Sequence, residues 1–240
     1  MNTQFLKDAE ESPRARAELN DWLGTLKAEQ RVEWALKNAS GAHVLSSSFG
    51  AQAAVSLHML TSQLPSIPVV LIDTGYLFPE TYAFVERLAD RLSLNLKVYQ
   101  SAISPARMES RHGKLWEQGL AGLDRYNHLR KVEPMQRALR ELGAHSWFAG
   151  LRRDQSRSRA NIAFAERRSD RWKWHPLADW SDREIGAYMK QHQLPYHPLW
   201  NDGYVSIGDV HSTARWQPGM SVEETRFFGL KRECGLHLAL

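Results

Sequence analysis

The chain has 240 residues, of which 42% are hydrophobic and 24% charged, with a formal net charge of +4. That balance excludes a disordered chain, and no apolar run reaches the length that spans a bilayer, so one large or two small folded domains are expected. The lone cysteine, Cys234, excludes an intrachain disulfide framework and a cysteine-based zinc site.

The N-terminus, "MNTQFLKDAEESPRARAELN", is rich in charge and lacks the apolar core of a signal peptide. With one cysteine, a cytoplasmic location is the expectation. Residues 14 to 38 carry helical periodicity, with Leu19, Trp22, Leu23 and Leu26 continued by Val32 and Leu36. Gly41 is the expected cap. "AHVLSSSFG" is a strand running into a small-residue turn, and "AQAAVSLHMLTSQL" an amphipathic helix. "PSIPVVLIDTG" is a second strand, followed by the helix "PETYAFVERLADRL" and the strand "NLKVYQ". "MQRALRELG" is helix and "AHSWFAG" strand. The alternation predicts an α/β fold, a mostly parallel Rossmann-like sheet with helices on both faces. Beyond residue 150 a hairpin is expected around "ERRSDRWKWHPL" and a helix in "SDREIGAYMKQHQL". Residues 195 to 219 have little periodicity and read as an ordered loop or a mobile cover. We expect a single domain over 1–240. It would have a helical region to about 40, a nucleotide-binding core to about 190, and a C-terminal extension carrying the cysteine.

Four stretches could carry chemistry. Ser46, Ser47, Ser48, Phe49 and Gly50 form a strand-to-helix turn, where unpaired N–H groups and the helix dipole attract phosphate or sulfate. A plain βα turn with a serine cap would look the same, and the stretch is neither a Walker A loop nor a dinucleotide fingerprint. Asp73, Thr74 and Gly75 end the next strand, on the sheet edge where open α/β sheets bind ligands. Arg152, Arg153, Arg157 and Arg159 offer guanidinium forks on that same edge. Cys234 follows Lys231 and Arg232 and precedes His237, cations that would favour a thiolate. The histidines show no metal-ligand spacing, and the tryptophans read as packing residues.

Together these stretches resemble the thioredoxin-dependent phosphoadenylyl-sulfate (PAPS) reductases of sulfate assimilation, in the PP-loop superfamily. "SSSFG", "DTGYLFPET", "LRRDQSRSRA" and "KRECGLH" resemble that family's signatures in order and spacing. The resemblance implies that Cys234 takes the sulfonyl group of 3′-phosphoadenylyl sulfate as a thiosulfonate. Reduced thioredoxin or glutaredoxin would then release sulfite. It implies that residues 46 to 50 and 73 to 75 hold the nucleotide, and that Lys131, Arg152, Arg153, Gln155 and Arg159, with Lys231, Arg232 and His237, meet its anionic groups. It implies a homodimer, with no nucleic-acid or membrane partner.

Related adenylyl-sulfate reductases hold an iron–sulfur cluster on a cysteine pair and a Cys-x-x-Cys. By resemblance those positions fall at Tyr126 and Asn127 and near Asp209 and Ser212, none of them cysteine. No cluster or bound metal is therefore expected, and the 3′-phosphorylated substrate is favoured. One thiol can start a two-electron reduction and cannot finish it, so a second molecule must supply the resolving thiol. The competing expectations are a PP-loop ATP pyrophosphatase, which would need magnesium and no Cys234, and a nucleotide-sensing module without turnover.

Overall fold

The computed structural model describes residues 3–231, 233 and 235–236. Three helices lead in: α1 (Thr3–Glu11), α2 (Pro13–Gly24) and α3 (Ala28–Asn38). The single helix expected over 14 to 38 is thus two. Thr25 closes α2, its hydroxyl donating to the Trp22 carbonyl at 2.7 Å. Gln30 Oε1 accepts from the Lys27 N–H at 2.9 Å and opens α3. The break is invisible to periodicity because Leu19, Leu23, Ala28, Val32 and Ala35 all enter one core across it. Gly41 is not the cap, which is Ala39. Gly41 instead turns the chain at φ 83°, where a Cβ would lie 2.4 Å from His145 Nδ1.

Six strands follow: β1 (Ala42–Ser46), β2 (Pro68–Asp73), β3 (Asn95–Gln100), β4 (Ala144–Ala149), β5 (Ala165–Arg168) and β6 (Arg171–Trp174). They form one sheet in the order β3-β2-β1-β4-β6-β5. Every pairing is parallel except the β5–β6 hairpin. The alternating α/β reading and the hairpin are both borne out. The intervening helices are α4 (Ala54–Thr61), α5 (Pro79–Leu92), α6 (Pro105–His112), α7 (Gly119–Asn127) and α8 (Glu133–Glu141), and α9 (Asp182–Gln191) follows β6. A π-helical turn, His128–Val132, joins α7 to α8.

Successive strand residues point to opposite faces. Leu45, Val69, Leu71 and Phe148 meet α2 to α5 and α9 on one face. Val44, Val70 and Trp147 meet Met135, Ala138 and Leu139 of α8 on the other. This two-sided burial explains the near-continuous apolar runs of the parallel strands. It also corrects one expectation: α4 is not amphipathic, since seven of its eight residues are buried. Helices α3, α5 and α9 pack on it, and its buried apolar residues share one cluster with Leu45, Val69 and Leu71 of the sheet. The outer edge of β5 is covered by Asn20, whose side chain pairs with both the N–H and the carbonyl of Ala165 at 2.9 Å.

Strand order turns at β1: β2 and β3 extend one way, β4 and β6 the other. In open α/β sheets the crevice at such a switch point, beyond the carboxyl ends of the strands, is where ligands bind.

Candidate functional site

A cavity of about 400 Å³ occupies that crevice, within the range that takes small ligands. Ser46, Ser47, Ser48 and Gly50 line it after β1, and Ala149, Gly150 and Arg152 after β4. Ser47 N–H makes the last ladder bond of its strand, to the Val70 carbonyl at 3.0 Å. The helix begins only at Ala54, so the N–H groups between belong to neither a sheet nor a helix ladder. Ser46 Oγ accepts from Trp147 Nε1 at 2.7 Å. Ser47 Oγ accepts from the Phe49 N–H at 3.1 Å. Phe49 does not line the cavity. Its ring is fully buried beneath the turn, and its backbone sits at φ 48°. At Gly50 a Cβ would meet only ordinary contacts, Ser48 Oγ at 3.6 Å and the Ile207 carbonyl at 3.7 Å. Neither neighbour crowds that surface.

At the end of β2 the three predicted residues separate. Thr74 lines the cavity, whereas Asp73 and Gly75 brace the turn beside it. Asp73 Oδ1 accepts from the Gly75 N–H at 2.8 Å and the Tyr82 hydroxyl at 2.7 Å, and Oδ2 accepts from Gln100 at 2.6 Å. Gly75 has φ 75°, and a Cβ there would lie 2.6 Å from Pro105. Arg130, buried, donates from Nε to the Thr74 carbonyl at 2.9 Å.

Lys131 lines the cavity from the π-helical turn, a distortion that often marks functional positions. Its Nζ lies 2.6 Å from Oδ2 of Asp209, which is 1% exposed. Thr74 Oγ1 donates to Asp209 Oδ1 at 2.5 Å and the Tyr126 hydroxyl to Oδ2 at 3.1 Å. Burial alone would raise the Asp209 pKa, but the Lys131 ammonium and these donors hold it below the usual carboxylate range. Burial, then the Asp209 charge, pushes the Tyr126 hydroxyl far above its ordinary value. His211 stacks on Trp116 with centroids 3.9 Å apart, and burial lowers its pKa to about 4.

The segment expected to be an ordered loop or a mobile cover is ordered over the cavity. Leu77 and Asp209 form an antiparallel bridge, as do Thr213 and Arg226. Val210 N–H donates to the Tyr76 carbonyl at 2.8 Å.

The basic run also divides. Arg152 lines the cavity and is 4% exposed. It donates to Asp182 at 2.6 Å, Gln52 at 2.9 Å and the Trp180 carbonyl at 3.0 Å. Gln155 and Arg159 line the cavity too, joined by a hydrogen bond. Arg153 does not. Its guanidinium lies 4.7 Å from the Phe164 ring centroid and donates to the Ile162 carbonyl at 3.0 Å. Lys231 also stands apart, paired with Asp124. Cys234, Arg232 and His237 lie outside the described residues. Their neighbours Glu233 and Leu236 line the cavity.

Sequence reasoning missed Gln52, Asp182, Asp209, Arg226 and Glu233 as cavity residues. Asp209 was singled out only as a position where a cluster cysteine would fall. Glu233 lies inside the quoted signature "KRECGLH" without a role of its own there, and tertiary packing brings in the others. Tyr126 and Asp209, two of the positions singled out by resemblance, meet through a hydrogen bond of 3.1 Å. Among the described residues no group of three or more His, Cys, Asp or Glu could hold a metal ion.

The family model for the phosphoadenosine phosphosulfate reductase domain matches residues 42–215. A phosphoadenosine 5′-phosphosulfate reductase of Xanthomonas campestris pv. campestris (strain B100) is 62% identical over 219 residues, covering 91% of each chain. One from Salmonella choleraesuis (strain SC-B67) is 59% identical over 223 residues, 93% of this chain and 91% of that one. Among solved structures, a phosphoadenylyl-sulfate reductase from Candida auris, in a phosphate complex, superposes with a TM-score of 0.73 at 32% identity, over 85% of this chain and 98% of that one. The FMN adenylyltransferase of Candida glabrata shares the fold alone, with a TM-score of 0.58 at 17% identity over 81% of this chain and 66% of that one.

Proposed function

The chain belongs to the phosphoadenosine phosphosulfate reductase family and reduces 3′-phosphoadenylyl sulfate in sulfate assimilation, and from that premise we propose how its residues do so. The Cys234 thiolate attacks the sulfur of the bound substrate. The bond from sulfur to the phosphate oxygen breaks, and adenosine 3′,5′-bisphosphate leaves with the electron pair. Cys234 then carries a sulfonate. A thiolate of reduced thioredoxin or glutaredoxin attacks the Cys234 sulfur and expels sulfite. The donor's second thiol resolves the mixed disulfide and restores Cys234. The two electrons come from the donor dithiol.

One observation carries this reading. Glu233 and Leu236, on either side of Cys234 in the chain, line the same cavity as the 46–50 turn and the Arg152–Arg159 segment. The described residues that flank the sole thiol in sequence thus line a crevice that carries Lys131, Arg152 and Arg159 beside a phosphate-attracting turn. Ser46, Ser47, Ser48, Gly50 and Thr74 hold the nucleotide, and Lys131, Arg152, Gln155 and Arg159 meet its charged groups. Phe49, Asp73 and Gly75 shape the turns beneath it. The chain works as one α/β unit in a cytoplasmic homodimer, without an iron–sulfur cluster, since one cysteine cannot supply four thiolates. Among the described residues no helix is long and apolar enough to cross a membrane.

Intact-protein mass after mixing with PAPS and no reductant tests the intermediate. One sulfonate gained by the chain, absent in Cys234→Ser and removed by reduced thioredoxin, is the expected result. A gain only with the substrate lacking the 3′-phosphate would overturn the substrate preference, and no gain with either would overturn the covalent step.

A further inference from the structure

Glu233 immediately precedes Cys234. Its carboxylate is held by a built set of donors. Oε1 accepts from Arg159 Nε at 2.8 Å and Oε2 from Arg159 Nη2 at 2.9 Å. Ser158 Oγ donates to Oε1 at 2.9 Å, and Ser156 Oγ reaches it at 3.4 Å. The pair is largely withdrawn from water, with side chains 16% and 12% exposed. Arg159 Nη1, the remaining nitrogen, donates to Gln155 Oε1 at 2.5 Å. All three guanidinium nitrogens are therefore engaged, two of them by the tail.

We infer that Glu233 is a positioning residue for the reduction: by clasping Arg159 it fixes the register of the tail, so that the next residue meets the substrate sulfur. The inference rests on the reading that Cys234 takes the sulfonyl group. Two further contacts define the same register. Lys231 pairs with Asp124 of α7. Leu236 packs on the cluster of Val44, Val70 and Trp147. Residues 231, 233 and 236 are thus anchored to three separate parts of the fold. Of the three, the Glu233 contact is nearest the thiol in sequence and the most directional. A bidentate carboxylate–guanidinium fork fixes orientation as well as distance. An amide at 233 would keep the shape, but it offers one acceptor and turns its NH₂ group toward a donor.

In the rival arrangement Glu233 only fills the Arg159 anion site until substrate displaces it, and the two arrangements predict opposite results. The test is Glu233→Gln, in two measurements. The first is the single-turnover rate of sulfonate formation at saturating PAPS without reductant. The second is the affinity for adenosine 3′,5′-bisphosphate by calorimetry. Misplacing a reacting group by about 1 Å costs on the order of 100-fold, so a loss of about 10- to 100-fold in rate is expected. Nucleotide affinity should stay within about twofold. An unchanged rate would overturn the inference. Tighter nucleotide binding with an undiminished rate would also overturn it and would mark Glu233 as a place-holder. If the unmodified chain itself gains no sulfonate, the covalent reading fails and takes this inference with it. Equal rates of adduct formation in both proteins sink the inference alone.

Discussion

Lys131 Nζ and Asp209 Oδ2 meet 2.6 Å apart at the cavity wall, with side chains 9% and 1% exposed. They come from distant parts of the chain. Lys131 sits in a π-helical turn before α8, and Asp209 in the covering segment that bridges to Leu77. The pair fastens the cover to the π-helical turn. It also brings a cation into the cavity without leaving that cation uncompensated in a place where water is scarce.

Asp209→Asn should therefore be costly. Breaking a buried pair from one side leaves the other charge stranded, at a cost of about 3–5 kcal/mol. Urea unfolding at pH 7 measures it. The pH dependence has a definite sign. Asp209 has a folded-state pKa below the ordinary carboxylate value of about 3.9. Its contribution is fully present above that value and is lost as pH falls through the folded-state pKa. Acid unfolding of Asp209→Asn should show a shallower slope below about pH 4. An identical acid limb in the variant would refute this account.

Gly50 and Gly150 both line the cavity and should respond oppositely to alanine. At Gly50 the new Cβ meets nothing closer than 3.6 Å, so the fold should lose little stability. The methyl group would stand where the nucleotide approaches the turn, and affinity for adenosine 3′,5′-bisphosphate should fall about tenfold or more, roughly 1.4 kcal/mol. At Gly150 the Cβ would lie 2.8 Å from Ser56 Oγ and 3.0 Å from Ser56 Cβ. There stability should drop by about 1–3 kcal/mol through overpacking. Melting curves and calorimetry on both variants check the pair, and equal melting temperatures would be the failing result.

Much of this was legible in the sequence because the strands are short apolar runs, each ending in a turn with its own chemistry. The 46–50 turn, Thr74 and Arg152 all fall at the strand ends where the topology puts the crevice. Less legible were features set by three-dimensional neighbours. The π-helical turn carrying Lys131 continues two helices and leaves no break in composition. Adjacent arginines at 152 and 153 look alike in sequence, yet one lines the cavity and the other packs on Phe164. The covering segment has no period because its order comes from isolated bridges and from Asp209, not from a repeating ladder.

His197 should make the fold sensitive to mild acid. It is fully buried, its Nδ1 accepts from the Leu199 N–H at 3.1 Å, and its Nε2 lies 3.0 Å from Thr81 Oγ1. With Nδ1 an acceptor, the neutral ring donates from Nε2, and a second proton would face the Leu199 N–H. Burial lowers its pKa to about 4, as it does for His175 and His211. Above about pH 6.5 both folded and unfolded chains hold these rings neutral. Below it the unfolded chain gains protons that the folded chain refuses, so stability falls between about pH 6.5 and 4. Unfolding free energies measured from pH 7.5 to 4.5 should decline, and His197→Gln should flatten part of that decline. A slope unaltered by the substitution would count against the assignment.

Arg152 and Arg153 provide the sharpest contrast within the site. Arg153→Ala removes a guanidinium over Phe164 and one hydrogen bond to the Ile162 carbonyl. That should cost about 1 kcal/mol of stability and leave nucleotide affinity within about twofold. Arg152→Ala removes a buried cation from the cavity wall, with its bonds to Asp182 and Gln52. One charge-assisted contact is worth about 1.5–3 kcal/mol, or roughly 10- to 150-fold in affinity. Calorimetry with adenosine 3′,5′-bisphosphate on the two variants separates the roles. If Arg153→Ala weakened binding as much as Arg152→Ala, the cavity would have to reorganise on binding, because in this arrangement Arg153 is directed to Phe164 and the Ile162 carbonyl.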